Sequence, residues 1–100
     1  IAVLHIVNKS PLASSSLENC LDVVVSGDLL LIEDAVYAAT AGNAFEPRLH
    51  DAMGRLQVYV LQPDADARGM GDKLVAGVTA VDFGGFVDLA ISNNTCQSWL

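Results

Sequence analysis

Ser15–Val25 reads SSLENCLDVVV and, after a Ser26-Gly27 break, Asp28–Ile32 reads DLLLI. Spacing makes the first stretch an amphipathic helix. Leu17, Cys20, Leu21, Val24 and Val25 fall on one face, and Glu18, Asn19 and Asp22 on the other. Ser15 and Glu18 have the spacing of a capping box, which predicts a helix start at Ser15, and Gly27 predicts its stop. The second stretch is apolar throughout, as a parallel strand covered on both faces would be. A helix feeding directly into such a strand is the second half of a βαβ unit, and this sets the expectation for the rest of the chain.

Working outward, Ala2–Val7 (AVLHIV) is a short apolar run closed by Asn8-Lys9-Ser10-Pro11, which predicts a central strand, a turn and a loop over Pro11–Ser14. Beyond DLLLI, Glu33 and Asp34 open a predicted helix through Ala41, and Gly42-Asn43 breaks it. A short helix follows over Phe45–Met53, with Pro47 near its start, then a strand over Gln57–Leu61. Pro63 suits a first helical position, and Gly69 and Gly71 stop that helix. Val78–Val81 is a fourth strand with Asp82 at its end. Phe83–Ile91 is the last helix, with Phe86, Leu89 and Ala90 as its apolar stripe, and Ser92–Leu100 reads as a tail. Strand and helix alternate about four times. The fold class is therefore α/β: a single-domain α/β sandwich over residues 1–100, with a mostly parallel, four- to five-stranded sheet flanked by helices.

Composition narrows the function. The 100 residues are 52% hydrophobic and only 17% charged, below the usual share of about a quarter. Such a chain cannot cover its surface with charge, so part of it is expected to be hidden by another subunit. Apolar surface near the last helix and Trp99 is the expected contact, because aromatic residues anchor interfaces. No run reaches the ~18 apolar residues of a membrane span. Twelve acidic residues against five basic ones, with no basic cluster, argue against direct nucleic-acid binding. The opening IAVLHIV lacks the basic lead and cleavage site of a signal peptide. Cys20 and Cys96 lie far apart without a C-x-x-C or a His pair, which argues against a disulfide framework or a zinc site and for a reducing cytoplasm.

Few residues carry chemistry. Gly69-Met70-Gly71-Asp72-Lys73 lacks the spacing of a phosphate loop, and Asp82-Phe83-Gly84 stands without the other kinase motifs. Glu33 and Asp34 either complement the dipole of the helix they begin or line a crevice at the strand ends. His5 is either a buried neutral histidine with one hydrogen bond or a proton-transfer group. Cys20 is either a small buried hydrophobe or a reactive thiol. Its place beyond the first helical turn, its apolar face and its neighbours Glu18 and Asp22 all weaken the thiolate, and the basic residue nearest in sequence is Lys9. Cys96, in the expected tail, reads as incidental.

LHIVNKSP, SLENCL, SGDLLLIEDAVYAATAG, VYVLQPDADARG, VDFGGFVDL and the closing Gln97-Ser98-Trp99-Leu100, in that order, resemble the DsrH family, also called TusB. The resemblance covers essentially the whole chain. It implies a DsrEFH-like fold and a small subunit of a cytoplasmic sulfurtransferase complex, a heterohexamer with two copies each of three related chains. The implied partners are DsrE-like and DsrF-like subunits and a DsrC- or TusE-like sulfur carrier. No cofactor or metal is implied. The main sulfur-carrying cysteine of such complexes belongs to the DsrE or TusD chain, and the DsrH branch has a cysteine in its first helix, where Cys20 falls. The expectation is therefore a DsrH-like subunit relaying persulfide sulfur in dissimilatory sulfur oxidation, with Cys20 as an auxiliary catalytic cysteine. The alternatives are a TusB-like subunit serving 2-thiouridine synthesis in tRNA and a purely structural subunit.

Overall fold

The apolar runs become the inner strands of one parallel sheet. In the computed structural model, which describes residues 3–10, 15–24, 26–42, 45–93 and 95–99, Val3–Val7 (β1) lies between Gly27–Leu31 (β2) and Thr95–Trp99 (β5). Leu56–Leu61 (β3) and Thr79–Val81 (β4) extend the other side, giving the order β4-β3-β2-β1-β5 with every neighbour pair parallel. Ser16–Val23 (α1) connects β1 to β2. A 3-10 helix, Glu33–Ala39, and Glu46–Ala52 (α2) connect β2 to β3. Gln62–Ala67 (α3) connects β3 to β4, and Phe83–Ser92 (α4) connects β4 to β5.

That order decides which face each helix covers. Right-handed crossovers stepping from β1 to β4 in one direction put α1, the 3-10 helix, α2 and α3 on the same face. The return from β4 past β1 runs the other way and puts α4 on the opposite face. The strand register agrees. Trp99, Val7, Leu31 and Val60 form one cross-strand row, and all belong to or pack on the main core with Leu17, Cys20, Leu21, Ala35, Val36, Leu49 and Ala65. Ile6, Leu30 and Tyr59 form a row on the α4 side. There Asn93, just past α4, donates to Asp28 Oδ2 at 3.1 Å, and a Cβ on Gly85 would come within 2.8 Å of Val81 Cβ.

Several local expectations change. Ser15 sits at the cap of α1 but its side chain caps nothing, and Glu18 pairs instead with Arg48 at 2.9 Å. The helix ends at Val23 with Val24 already extended, so Gly27 begins β2 rather than stopping α1. Glu33 and Asp34 open a 3-10 helix, not an α-helix. The expected tail is an edge strand, held by its ladder with β1 and by Trp99 Nε1 donating to His5 Nδ1 at 3.1 Å. Trp99 thus faces inward, toward the core. Asp82 is a working N-cap for α4, accepting from the Gly85 N–H at 2.8 Å. The expected strand position of Ala2, the Pro11–Ser14 loop, the core position of Val25, the break at Asn43 and the end of the tail at Leu100 lie outside the described residues.

Gly27 is required where it stands. Its φ is +129°, which side chains resist, and a Cβ would meet Val3 O at 2.9 Å between two core strands. Gly42 also has positive φ, +88°, but nothing lies within 4 Å of its missing Cβ. Gly27→Ala is expected to cost ~2–3 kcal/mol in urea unfolding, and Gly42→Ala ~1 kcal/mol from backbone strain alone. Equal losses would show that the approach of β1 to β2 places no steric demand on Gly27.

Candidate functional site

Cys20 projects from the buried side of α1 into the main core, and none of it is exposed. Burial pushes its thiol pKa up to about 11, against a smaller opposing pull from Arg55. Desolvation, rather than the flanking carboxylates, is the main cause. Glu18 and Asp22 point to the exposed side of α1, where both hold the Arg48 guanidinium, at 2.9 and 2.8 Å. The nearby cation is Arg55, on the α2–β3 connection, not Lys9. Its guanidinium donates to the carbonyl oxygens of Leu21 and Val24, which α1 leaves unpaired at its C-terminal end. Arg55 is the residue near the site that spacing could not reveal, since it acts from 31 and 34 residues away.

The strand ends, where open α/β sheets place their sites, are internally bonded. Asp64 Oδ2 accepts from the Glu33 N–H at 2.7 Å, Asp34 pairs with Arg68 at 3.0 Å, and Gln62 donates to Asp66 Oδ1 at 2.6 Å. Glu33, with φ +50°, is the one described non-glycine residue at positive φ, and Asp64 holds it there. Glu33 and Asp34 stand in the first turn of the 3-10 helix, where their charge complements its dipole, and Asp64 in addition answers the free Glu33 N–H there. Over Gly71 a Cβ would fall 1.9 Å from Asp66 Oδ1, so a carboxylate occupies the place where a phosphate loop would need open backbone donors.

His5 is nearly buried and accepts the Trp99 indole N–H through Nδ1. Burial lowers its pKa, which favours the neutral imidazole able to accept that bond. Cys96 is exposed on β5, in a row with Leu4 and Asp28 on the α4 face. The sheet lies between it and Cys20, so the two thiols cannot work as a pair in this fold. Among the described residues no group of three or more His, Cys, Asp or Glu is placed to hold a metal ion, and no helix is long and apolar enough to cross a membrane.

Fold and cysteines together define a small α/β chain with an all-parallel sheet, one thiol sealed in the core and one at a sheet edge. The chain matches the family model described as DsrH like protein over residues 9–96 and belongs to that family. Protein TusB of Pectobacterium parmentieri is 35% identical to it over 98 residues, which span 97% of this chain and 100% of that protein. Protein TusB of Enterobacter sp. (strain 638) is 37% identical over the same length and coverage. Protein TusB of Salmonella dublin is 39% identical over 80 residues, 79% of this chain and 82% of that one. Among solved structures, the crystal structure of the ychN protein from E. coli superposes with a TM-score of 0.85 at 20% identity, covering 97% of each chain. MTH1491 from Methanobacterium thermoautotrophicum, a protein of unknown function, superposes at 0.70 and 19% identity, covering 97% of this chain and 96% of its own. These two show the fold alone.

The two thiols should separate cleanly in reactivity. With a pKa of about 11, Cys20 is thiolate in only about one part in ten thousand at pH 7, and it is also out of reach. A thiol-specific disulfide reagent at pH 8 is expected to titrate one cysteine per folded chain, Cys96, and both after denaturation. Rapid modification of Cys20 in the folded chain would contradict the packing described.

Proposed function

We propose that the chain is a TusB-like subunit of a sulfur-relay complex serving 2-thiouridine synthesis at the tRNA wobble position. The observation that carries this reading is similarity along the whole chain to proteins named TusB. Cys20 at the place of the DsrH-branch cysteine favours the sulfur-oxidation branch, DsrEFH, and that remains the second reading. The relatives' names move the preference to the tRNA branch.

In this reading the chain works as a single cytoplasmic domain within a heterohexamer, two copies each of this subunit and its DsrE/TusD-like and DsrF/TusC-like partners. A TusE/DsrC-like carrier takes the sulfur. The transfer is thiol–persulfide exchange: a thiolate attacks the outer sulfur of a donor persulfide, the S–S bond breaks, and the donor leaves as thiolate while the acceptor becomes the persulfide. No electrons are gained or lost overall. The attacking group must be ionised and reachable, and the geometry of Cys20 supports neither in the packed state. Cys20 carries sulfur only in a state that lifts α1 from the sheet. In the packed state it fills the core, and the main nucleophile belongs to a partner.

Deleting the gene is expected to abolish tRNA 2-thiouridine, quantified by mass spectrometry of nucleosides. Cys20→Ala and Cys96→Ser are each expected to restore it to within about twofold of the unaltered gene, because neither thiol is the essential carrier. Unchanged thiolation after deletion, with sulfur oxidation lost, would move the protein to the DsrEFH branch.

A further inference from the structure

We infer that the outer ridge of α4 is the docking surface for a different chain, one whose apolar contact is bordered by Lys or Arg, and not for a second copy of this protein. Phe83, Val87 and Ile91 are 61%, 55% and 77% exposed, and at i, i+4 and i+8 they form one continuous stripe. Leu89 lies on the far side of the helix from this stripe, Phe86 and Ala90 lie along its inner border, and all three are half-buried. A helix that is apolar on both sides is one that is covered on both sides. Among the described residues, this chain supplies only the inner cover.

Charge selects the occupant. From Thr79 to Trp99 the sequence has Asp82 and Asp88 and no Lys, Arg or His. Both aspartates are exposed, Asp82 at the start of the ridge and Asp88 beside Val87. Of the five basic residues, Arg48, Arg55 and Arg68 are bonded within the chain away from α4, to α1 and to the 3-10 helix with α3. Lys9 and Lys73 lie outside this last segment. A two-fold pairing of α4 with itself sets the same patch against its own copy. Acidic flanks would then meet acidic flanks, and the segment from Thr79 to Trp99 brings no cation to answer them, which opposes association. A chain with basic residues around an apolar groove meets the same surface with complementary charge. Three such side chains form the buried centre of a contact, and a stable interface needs about 800 Å² from each partner. The exposed Thr79 of the adjoining edge strand, in the Tyr59 row on the α4 face, is placed to form its rim.

The inference rests on the proposed relay function for the choice of partners, so the test keeps the two apart. The full chain is co-expressed with the TusC-like and TusD-like chains, with a photo-crosslinking residue at position 87. The crosslinked peptide is then read by mass spectrometry. A crosslink to a partner chain, at a segment carrying Lys or Arg, is the expected result. Val87→Asp and Asp88→Lys are each expected to weaken assembly at least about tenfold, with helical circular dichroism retained. Val23→Asp, at an exposed apolar site on α1, is expected to leave assembly unchanged. An intact complex with no crosslink at position 87, or one only to a second copy, overturns this inference and leaves the relay reading standing. A folded chain that forms no complex with these partners overturns both.

Discussion

A parallel sheet must be covered on both faces, because its strands are apolar on both sides. In this chain that requirement meets a fixed handedness of connection. Three crossovers in one direction bring α1, the 3-10 helix, α2 and α3 to one face and seal Leu29, Leu31, Val58 and Val60 there. The single return crossover leaves α4 alone on the other. Leu4 and Leu30 are still fully buried on that side, but Ile6 and Tyr59 are only partly covered, and no residue of α4 is buried. The excess of apolar residues in the composition has its structural counterpart on this face.

Long-range polar ties hold the covered face in register. Arg55 closes the C-terminal end of α1, and hydrogen bonds from a charged donor are typically worth ~1.5–3 kcal/mol. The Arg48 bridges to Glu18 and Asp22 link α1 to α2 but are exposed, and such pairs are worth ~0–1 kcal/mol. At the far edge, the indole of Trp99 fixes β5 to His5 of the central strand. A neutral His5 is needed there, which gives the histidine a structural task and makes a proton-transfer role unnecessary to explain its burial.

Much of this was legible in the sequence. Apolar runs marked β1, β2 and β3, and helical spacing placed Leu17, Cys20 and Leu21 in the core. The alternation of elements implied a largely parallel sheet. What spacing could not show was set by distant partners. Glu18 leaves its capping role because Arg48, 30 residues on, offers a charged donor. The strand TCQSW has no apolar alternation because it is exposed along an edge; only pairing with β1, more than 90 residues earlier, makes it a strand. Gly27 looked like a helix stop, and its real constraint is the carbonyl of Val3 across the sheet. For the candidate site, the sequence indicated a poorly activated Cys20. It named the apolar face, the place beyond the first turn and the acidic neighbours together; burial proves the larger cause, and Arg55 is the unforeseen counterweight.

On the proposed reading, the subunit contributes surface and scaffold to a relay whose travelling sulfur resides elsewhere. Its cysteines divide the possibilities sharply, since one is sealed and the other sits on the opposite side of the sheet. The most direct test is to load the assembled complex with labelled sulfane sulfur from a cysteine desulfurase and map persulfides by mass spectrometry, during turnover and before transfer to the carrier. The account predicts label on a partner subunit's cysteine and none on Cys20. Stoichiometric label on Cys20, appearing as fast as label on the partner, would contradict it.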